Sequence, residues 1–286
     1  MKALVCSGGG SKTAWSAGVI QYLLGTLQIN YDILAGVSAG ALNCSYLSQF
    51  KHGEEVLAAN MIKDLWSNMT TSKIFKSWHP FGKLHVPWRL SFYDSSPLHN
   101  LIKENIKLDK IRASGKKISV GAISITSGKY HTFDETDDDF IEAIMASSAV
   151  PGMMCPINMR DQLWVDGGTQ ELSPIRIAIE QGADEIDVIT TSPEVRIKKF
   201  IEKPSVIDIV KRTLDLATDK ILQNDLDKAF MYNKLAEAGV SGKKPIKFRI
   251  LRPHNNLMDD LLDFRPDKIR ELMRKGFQDG KTKYII

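Results

Sequence analysis

Nowhere in this chain of 286 residues do apolar residues run for the roughly 18 to 20 positions a membrane-spanning helix requires. Contact with a bilayer is therefore expected only from the side. Cysteine is scarce. Cys6, Cys44 and Cys155 form an odd set without a C-x-x-C pair, which argues against a disulfide framework or a cysteine zinc site and for a reducing compartment. The apolar run "ALVC" near the amino terminus stops at glycines after four residues, too short for a signal-peptide core. A net charge of +4 falls far short of a nucleic-acid binder's signature, so no nucleic-acid partner is expected. Repeats, low-complexity tracts and Pro/Gly/Ser-rich linkers are also missing, so residues 1–286 read as a single domain able to bury a large core.

What is present is an alternation. "ALVC" reads as a buried strand stopped by "SGGG", and residues 13–27 then turn helical, with Trp15, Val19, Ile20, Leu23 and Leu24 facing inward. "YDILAGVS" is a second strand and "AGALNCSYLSQF" a second helix. Strand, glycine turn and helix, twice over, is the grammar of a parallel sheet covered by helices. Further strands are expected at "KKISVGAISIT", "KYHTFDE", "QLWVDGG", "EIDVITT" and "IKFRILRP". Helices are expected at "DDDFIEAIMASSA" and "SPIRIAIEQGA", over residues 205–238, and from Pro266. In the long helix Ile207, Val210, Leu214, Ala217 and Ile221 form an apolar stripe, read as core packing ahead of a lipid groove.

"CSGGGSKT", residues 6–13, looks at first like a phosphate cradle. A P-loop ending at Lys12 would need glycines at positions 11 and 6, where this chain has Ser11 and Cys6, so nucleotide binding is rejected. "GVSAG", residues 36–40, is G-x-S-x-G placed between a strand and a helix, the setting of a nucleophile elbow that lifts Ser38 at a helix amino terminus. The plainer reading is a serine in a helix-capping turn. A serine attacking an ester creates an oxyanion that needs donors aimed in advance. Backbone amides of Gly8, Gly9 and Gly10 fit that need if the first two strands are neighbours, and a simple turn would account for one glycine rather than three. Ala39 is a candidate further donor. None of the six histidines has a persuasive setting as a base; His254, in a late loop, is the strongest contender. Asp166, at a strand end in "VDGG", is the better candidate, provided burial raises its pKa; the plainer reading of "DGG" is a turn.

Together these motifs resemble the patatin-like phospholipase family, whose members use a Ser-Asp dyad. The resemblance rests on "GGGSKT", "GVSAG" and "DGG" in that order, with "ASSAVPGMMCPI", "GADEIDVITT" and, more loosely, "LLDFRPDKIRELMRKGF". It implies a three-layer α/β/α sandwich with a mostly parallel central sheet. It also implies Ser38 as nucleophile, Asp166 as general base, the Gly8, Gly9 and Gly10 amides as oxyanion hole, and hydrolysis of phospholipid or other acyl lipid esters. No cofactor and no metal are called for. Thr13 departs from the family, which commonly has glycine there, as does Glu171, near which asparagine is common. Lys12 sits where the family carries a cation and is a candidate support for the oxyanion or a phosphate, with an ordinary solvated lysine as the equal alternative. An acyltransferase working through the same acyl-enzyme, or a non-catalytic lipid-binding regulator on the same scaffold, stays open.

Between Asp64 and Asp94 there is no acidic residue. Lys73, Lys76, Lys83 and Arg89 alternate with Trp66, Phe75, Trp78, Phe81, Trp88, Phe92 and Tyr93, a mixture suited to the level of lipid headgroups. The expectation is a cytoplasmic protein with peripheral membrane contact through this segment; the alternative is an irregular stretch folded onto the core.

Overall fold

The computed structural model describes residues 1–78, 89–195, 206–240, 242–258 and 260–283. Phe81, Lys83, Trp88, His79 and His85 lie outside the described residues, as do the side chains of Ile207, Val210 and Leu214.

The first half of the chain runs β1 (Lys2–Cys6), α1 (Thr13–Gly25), β2 (Ile33–Val37), α2 (Ala39–Leu47), α3 (Glu55–Ser67), α4 (Thr71–Ile74), α5 (Ser96–Asn105), α6 (Leu108–Ser114), β3 (Lys117–Ser124) and β4 (Lys129–Asp134). The second half runs α7 (Phe140–Ser147), β5 (Ile157–Met159), β6 (Gln162–Asp166), α8 (Ile175–Glu180), β7 (Glu185–Ile189), α9 (Val206–Glu237), β8 (Lys247–Leu251) and α10 (Pro266–Lys283). The described strands form one sheet. Five of them, in spatial order β8, β7, β1, β2, β3, are parallel. Direction reverses at β1, whose successor β2 lies on one side and whose later neighbour β7 lies on the other. Ligands of open α/β sheets gather beyond the carboxyl ends of strands at such a switch.

Alternation along the strands divides the core in two. Leu4, Cys6, Leu34, Ile118 and Val120 face the layer built by α1, α2, α3, α5, α7 and α10. Ala3, Val5, Ile33, Ala35, Ile186 and Val188 face α8 and α9. Because helices cover both faces, β1 and β2 are apolar at nearly every position instead of every second one. This is the expected three-layer sandwich.

At the β3 end the sheet becomes antiparallel, and pairing on β3 decides where β2 and β6 end. At Ser119, Val120 and Gly121, β3 pairs with both β2 and β4, so those two strands occupy opposite edges. At Ala122, Ile123 and Ser124 it pairs with both β4 and β6, so β6 occupies the edge that β2 has just left. β2 ends with Val37 opposite Gly121, and β6, running the other way, ends with Asp166 opposite Ala122. The two strands meet head-on along one edge.

The sequence reading is corrected in two places. Of the expected α9 stripe, Ala217 is exposed, while Ile221 is half-buried and packs against the core beside Leu222, Leu226 and Ala229; Asp225 and Ala236 are also buried among the described residues. Trp66 is buried in α3, its indole N–H donating to Asn43 Oδ1 at 2.7 Å, so it belongs to the core and not to a membrane face.

Candidate active site

Ser38 occupies the one-residue turn between β2 and α2 with φ 58° and ψ −134°, a region that L side chains rarely enter. The turn closes only because both flanking glycines lack side chains. A Cβ on Gly36 would lie 2.5 Å from the Gly40 carbonyl oxygen, and one on Gly40 would strike the Cys6 carbonyl oxygen. The Ser38 N–H donates to Ser147 Oγ, at the end of α7, at 3.0 Å. The Ala39 and Gly40 amides, in the first turn of α2, have no intrahelical acceptor.

Asp166 owes its place to the head-on meeting of β2 and β6. Its own N–H donates to the Ala149 carbonyl at 3.0 Å, and its carboxylate accepts the Gly168 N–H at 2.8 Å. It is only 5% exposed. Burial pushes its pKa up to about 6, against hydrogen bonds from the Ser38 side chain and the Gly168 amide that favour the charged form. Serine and carboxylate, 128 positions apart in the chain, are neighbours: the Ser38 side chain favours the charged form of the carboxylate, which accepts protons in the range just below neutrality.

The glycine loop leaves β1 on the other side of Ser38. The Ser7 N–H donates to the Ile189 carbonyl at 2.9 Å and the Ser11 N–H to the Leu261 carbonyl at 2.8 Å. Between them, the amides of Gly8, Gly9 and Gly10 have no hydrogen-bond acceptor among the described residues. The loop touches the elbow, since a Cβ on Gly8 would lie 2.8 Å from Ser38 Cβ. On Gly9 it would strike Thr191, and on Gly10, at φ 54°, the Leu261 carbonyl. Lys12 closes the loop, its N–H donating to the Gly9 carbonyl at 3.1 Å. Thr13, buried at the start of α1, has a hydroxyl without a partner among the described residues.

Glu171 lies just beyond the aspartate turn, with Arg176 3.8 Å from its carboxylate; burial pushes its pKa up. His254 is exposed and pairs with Glu194 at 3.0 Å, which leaves the Ser38 hydroxyl to Asp166. Among the described residues no group of three or more His, Cys, Asp or Glu side chains is placed to hold a metal ion. A cleft of about 490 Å³ between α2, α3 and α5 includes neither Ser38, Asp166 nor the glycine loop.

Sequence reasoning missed the supports. Ser147 holds the Ser38 amide, and the Thr191 hydroxyl donates to the Gly8 carbonyl at 3.3 Å. The Ser7 and Ser173 hydroxyls bond to each other, and Asp225 accepts the Leu172 and Ser173 amides. Ser147 carried a signal, since it lies within "ASSAVPG", but a serine motif does not say which amide it will meet.

Known proteins are similar to this chain. The profile described as patatin-like phospholipase matches residues 4–179, which include the glycine loop, the elbow and the aspartate turn. The uncharacterized protein YjjU of Escherichia coli K12 is 28% identical over 197 residues, 67% of this chain and 52% of YjjU, so the chain spans about half of that relative's length. A probable lipid hydrolase, 463L of Invertebrate iridescent virus 6, is 27% identical over 271 residues, 85% of this chain and 89% of 463L. Among solved structures, VipD from Legionella pneumophila superposes with a TM-score of 0.46 at 13% identity, covering 98% of this chain and 66% of VipD. The type III effector ExoU does so with a TM-score of 0.38 at 13% identity, covering 99% of this chain and 52% of ExoU. By the span of its profile match, this chain belongs to the patatin-like phospholipase family.

Proposed function

We propose that the protein is a lipid acyl hydrolase working through Ser38 and Asp166. The observation that carries the reading is the register on β3, which brings the ends of β2 and β6 together and leaves a buried carboxylate beside a serine on a strained turn. Asp166 takes the Ser38 proton as the oxygen attacks the acyl carbonyl. Negative charge then develops on the carbonyl oxygen, where the Gly8, Gly9 and Gly10 amides, and that of Ala39, serve as donors fixed beforehand. The alcohol departs with the proton, and water activated by Asp166 releases the fatty acid from the serine ester. A pKa of about 6 suits this exchange, since the group is mostly ionised at neutral pH yet holds a proton well enough to return it. The lipid nature of the substrate is supported by the family and by the description of 463L.

The same reading assigns lipid contact to the segment after residue 88. Leu90 and Phe92 are 68% and 53% exposed, and Arg89 lies 4.6 Å over the Trp78 ring. The Phe92 and Tyr93 amides donate to the Gly152 and Met153 carbonyls, while the Ala149 carbonyl accepts from Asp166. Three residues span at most about 11 Å, so these apolar side chains belong to the neighbourhood of the base.

The test is direct. Ser38→Ala and Asp166→Asn should each lower hydrolysis of a short-chain p-nitrophenyl ester by at least about 10³-fold with the fold retained. A fluorophosphonate should label the parent and not Ser38→Ala. Parental hydrolysis by Ser38→Ala would sink the assignment. Acyl transfer to added lysolipid in preference to water would make the protein a transferase on the same serine, and an unlabelled, inactive parent would make it a binding protein.

A further inference from the structure

Hydrolysis through Ser38 uses one buried carboxylate and leaves another unexplained. Asp225 lies in the middle of α9, in the stripe that packs against the sheet, and is 5% exposed. A single oxygen, Oδ2, accepts two backbone N–H groups, from Leu172 at 2.8 Å and from Ser173 at 3.0 Å. The segment it grips joins the two halves of the candidate site. The Leu172 side chain would lie 3.2 Å from a Cβ on Gly8 and equally close to one on Gly168, so it is wedged between the glycine loop and the aspartate turn. The Ser173 hydroxyl is hydrogen-bonded to the hydroxyl of Ser7, the residue before the loop, whose own amide is tied to β7.

We propose that Asp225 is a positioning residue: by holding the Leu172 and Ser173 amides it sets the distance between the base turn and the oxyanion-binding amides. The proposal rests on the hydrolase reading of Ser38 and Asp166. Asp225 touches no reacting atom and acts only through residues 172 and 173. Burial raises its pKa, and the two amides together with Lys228 work against that rise, so the loop it holds offsets the cost of its charge. A clamp serving stability alone would be equally well placed elsewhere on the helix. This one grips the segment whose side chains touch both Gly8 and Gly168.

The experiment compares Asp225→Ala, Asp225→Asn and Leu226→Ala in the full chain. It reads the second-order rate of fluorophosphonate labelling, kcat and KM on p-nitrophenyl butyrate, and the melting temperature. Asp225→Ala should slow labelling and kcat by about 30-fold or more, since misplaced donors fail in the transition state. KM should stay within about twofold, because ground-state binding is not touched. Asp225→Asn retains an acceptor oxygen and should recover most of the rate. Leu226→Ala, on the same buried face, should lower the melting temperature without slowing labelling below it. Parental labelling by folded Asp225→Ala, or equal slowing by Leu226→Ala, overturns the proposal. If Asp225→Ala does not fold, Ser173→Ala decides: loss of the link to Ser7 should lower kcat about tenfold at unchanged KM, and a parental kcat overturns the proposal. A parent that resists labelling overturns the hydrolase reading instead. Amide exchange at Leu172 and Ser173, slow in the parent, largely kept slow in Asp225→Asn and released in Asp225→Ala, then still tests the clamp; unchanged exchange in Asp225→Ala overturns it.

Discussion

Asp166 links activity and stability in opposite directions. On the proposed mechanism the ionised form of Asp166 is the base, so kcat/KM on a neutral soluble ester should rise tenfold per pH unit up to about 6 and then level off. Because the folded-state pKa lies above the ordinary 3.8, the native protein binds this proton more tightly than the unfolded chain. The resulting stabilisation is complete below about pH 4 and is lost as pH rises through about 6, so at pH 7.5 the ionised group forfeits about 3 kcal/mol. Asp166→Asn should therefore melt higher than the parent at neutral pH, with the gain fading towards pH 4; equal melting temperatures at pH 7.5 would contradict this. Ser38 stores strain in its backbone instead. With the hydroxyl absent in both proteins, Ser38→Gly should exceed Ser38→Ala in stability by about 1 kcal/mol, measured by denaturant unfolding, because only glycine is at ease at φ 58° and ψ −134°.

Helix α1 starts immediately after the glycine loop, and α10 crosses it backbone to backbone. A Cβ on Gly18 would strike the Met273 carbonyl oxygen, and one on Gly276 the Trp15 carbonyl oxygen. Around this contact the Trp15 indole N–H donates to Asp279 at 2.8 Å, and Tyr22 meets Phe277 edge-on. Glycine to alanine ordinarily favours a helix by up to about 1 kcal/mol, but here the methyl must push two helices apart. Gly276→Ala should cost a net of about 2 kcal/mol and several degrees of melting temperature. Gly280→Ala, whose methyl would sit 3.3 Å from Tyr22 Cβ, should cost less. The strand–turn–helix units were legible because each is written in contiguous residues, the inward set of α1 from Trp15 to Leu24 included. The inward face of α9 was legible only in part: Ile221, one turn before Asp225, packs against the core as expected, whereas Ala217, a further turn back, is exposed.

At the scale of the whole molecule, no helix among the described residues is long and apolar enough to cross a membrane. On the proposed function a lipid substrate is met at a surface, and Leu90 and Phe92 are exposed apolar side chains on the segment whose amides bond to Gly152 and Met153. Replacing both by serine should lower partitioning onto anionic phospholipid vesicles by about tenfold or more. Hydrolysis of a soluble short-chain ester should be unchanged. Undiminished vesicle binding would remove this face from the account. Composition had pointed to the whole stretch from Trp66 to Tyr93, but aromatic and basic residues do not reveal which rings face inward. Trp66 is core, Phe75 stacks on Tyr93 at 4.4 Å, and Phe92 is exposed.

Local chemistry was the sequence's own contribution. A serine between two glycines at a strand end, three bare amides after the first strand, and an aspartate before a glycine pair can each be read from a few neighbouring residues, because turns are built from what is adjacent. Only tertiary structure could bring them together. The meeting of Ser38 with Asp166 depends on β6 running antiparallel along the part of the β3 edge that β2 leaves open, two pairings that together bridge 128 positions of sequence. The grip of Asp225 on residues 172 and 173 likewise depends on how α9 is rotated against the sheet, which packing decides and no local pattern records.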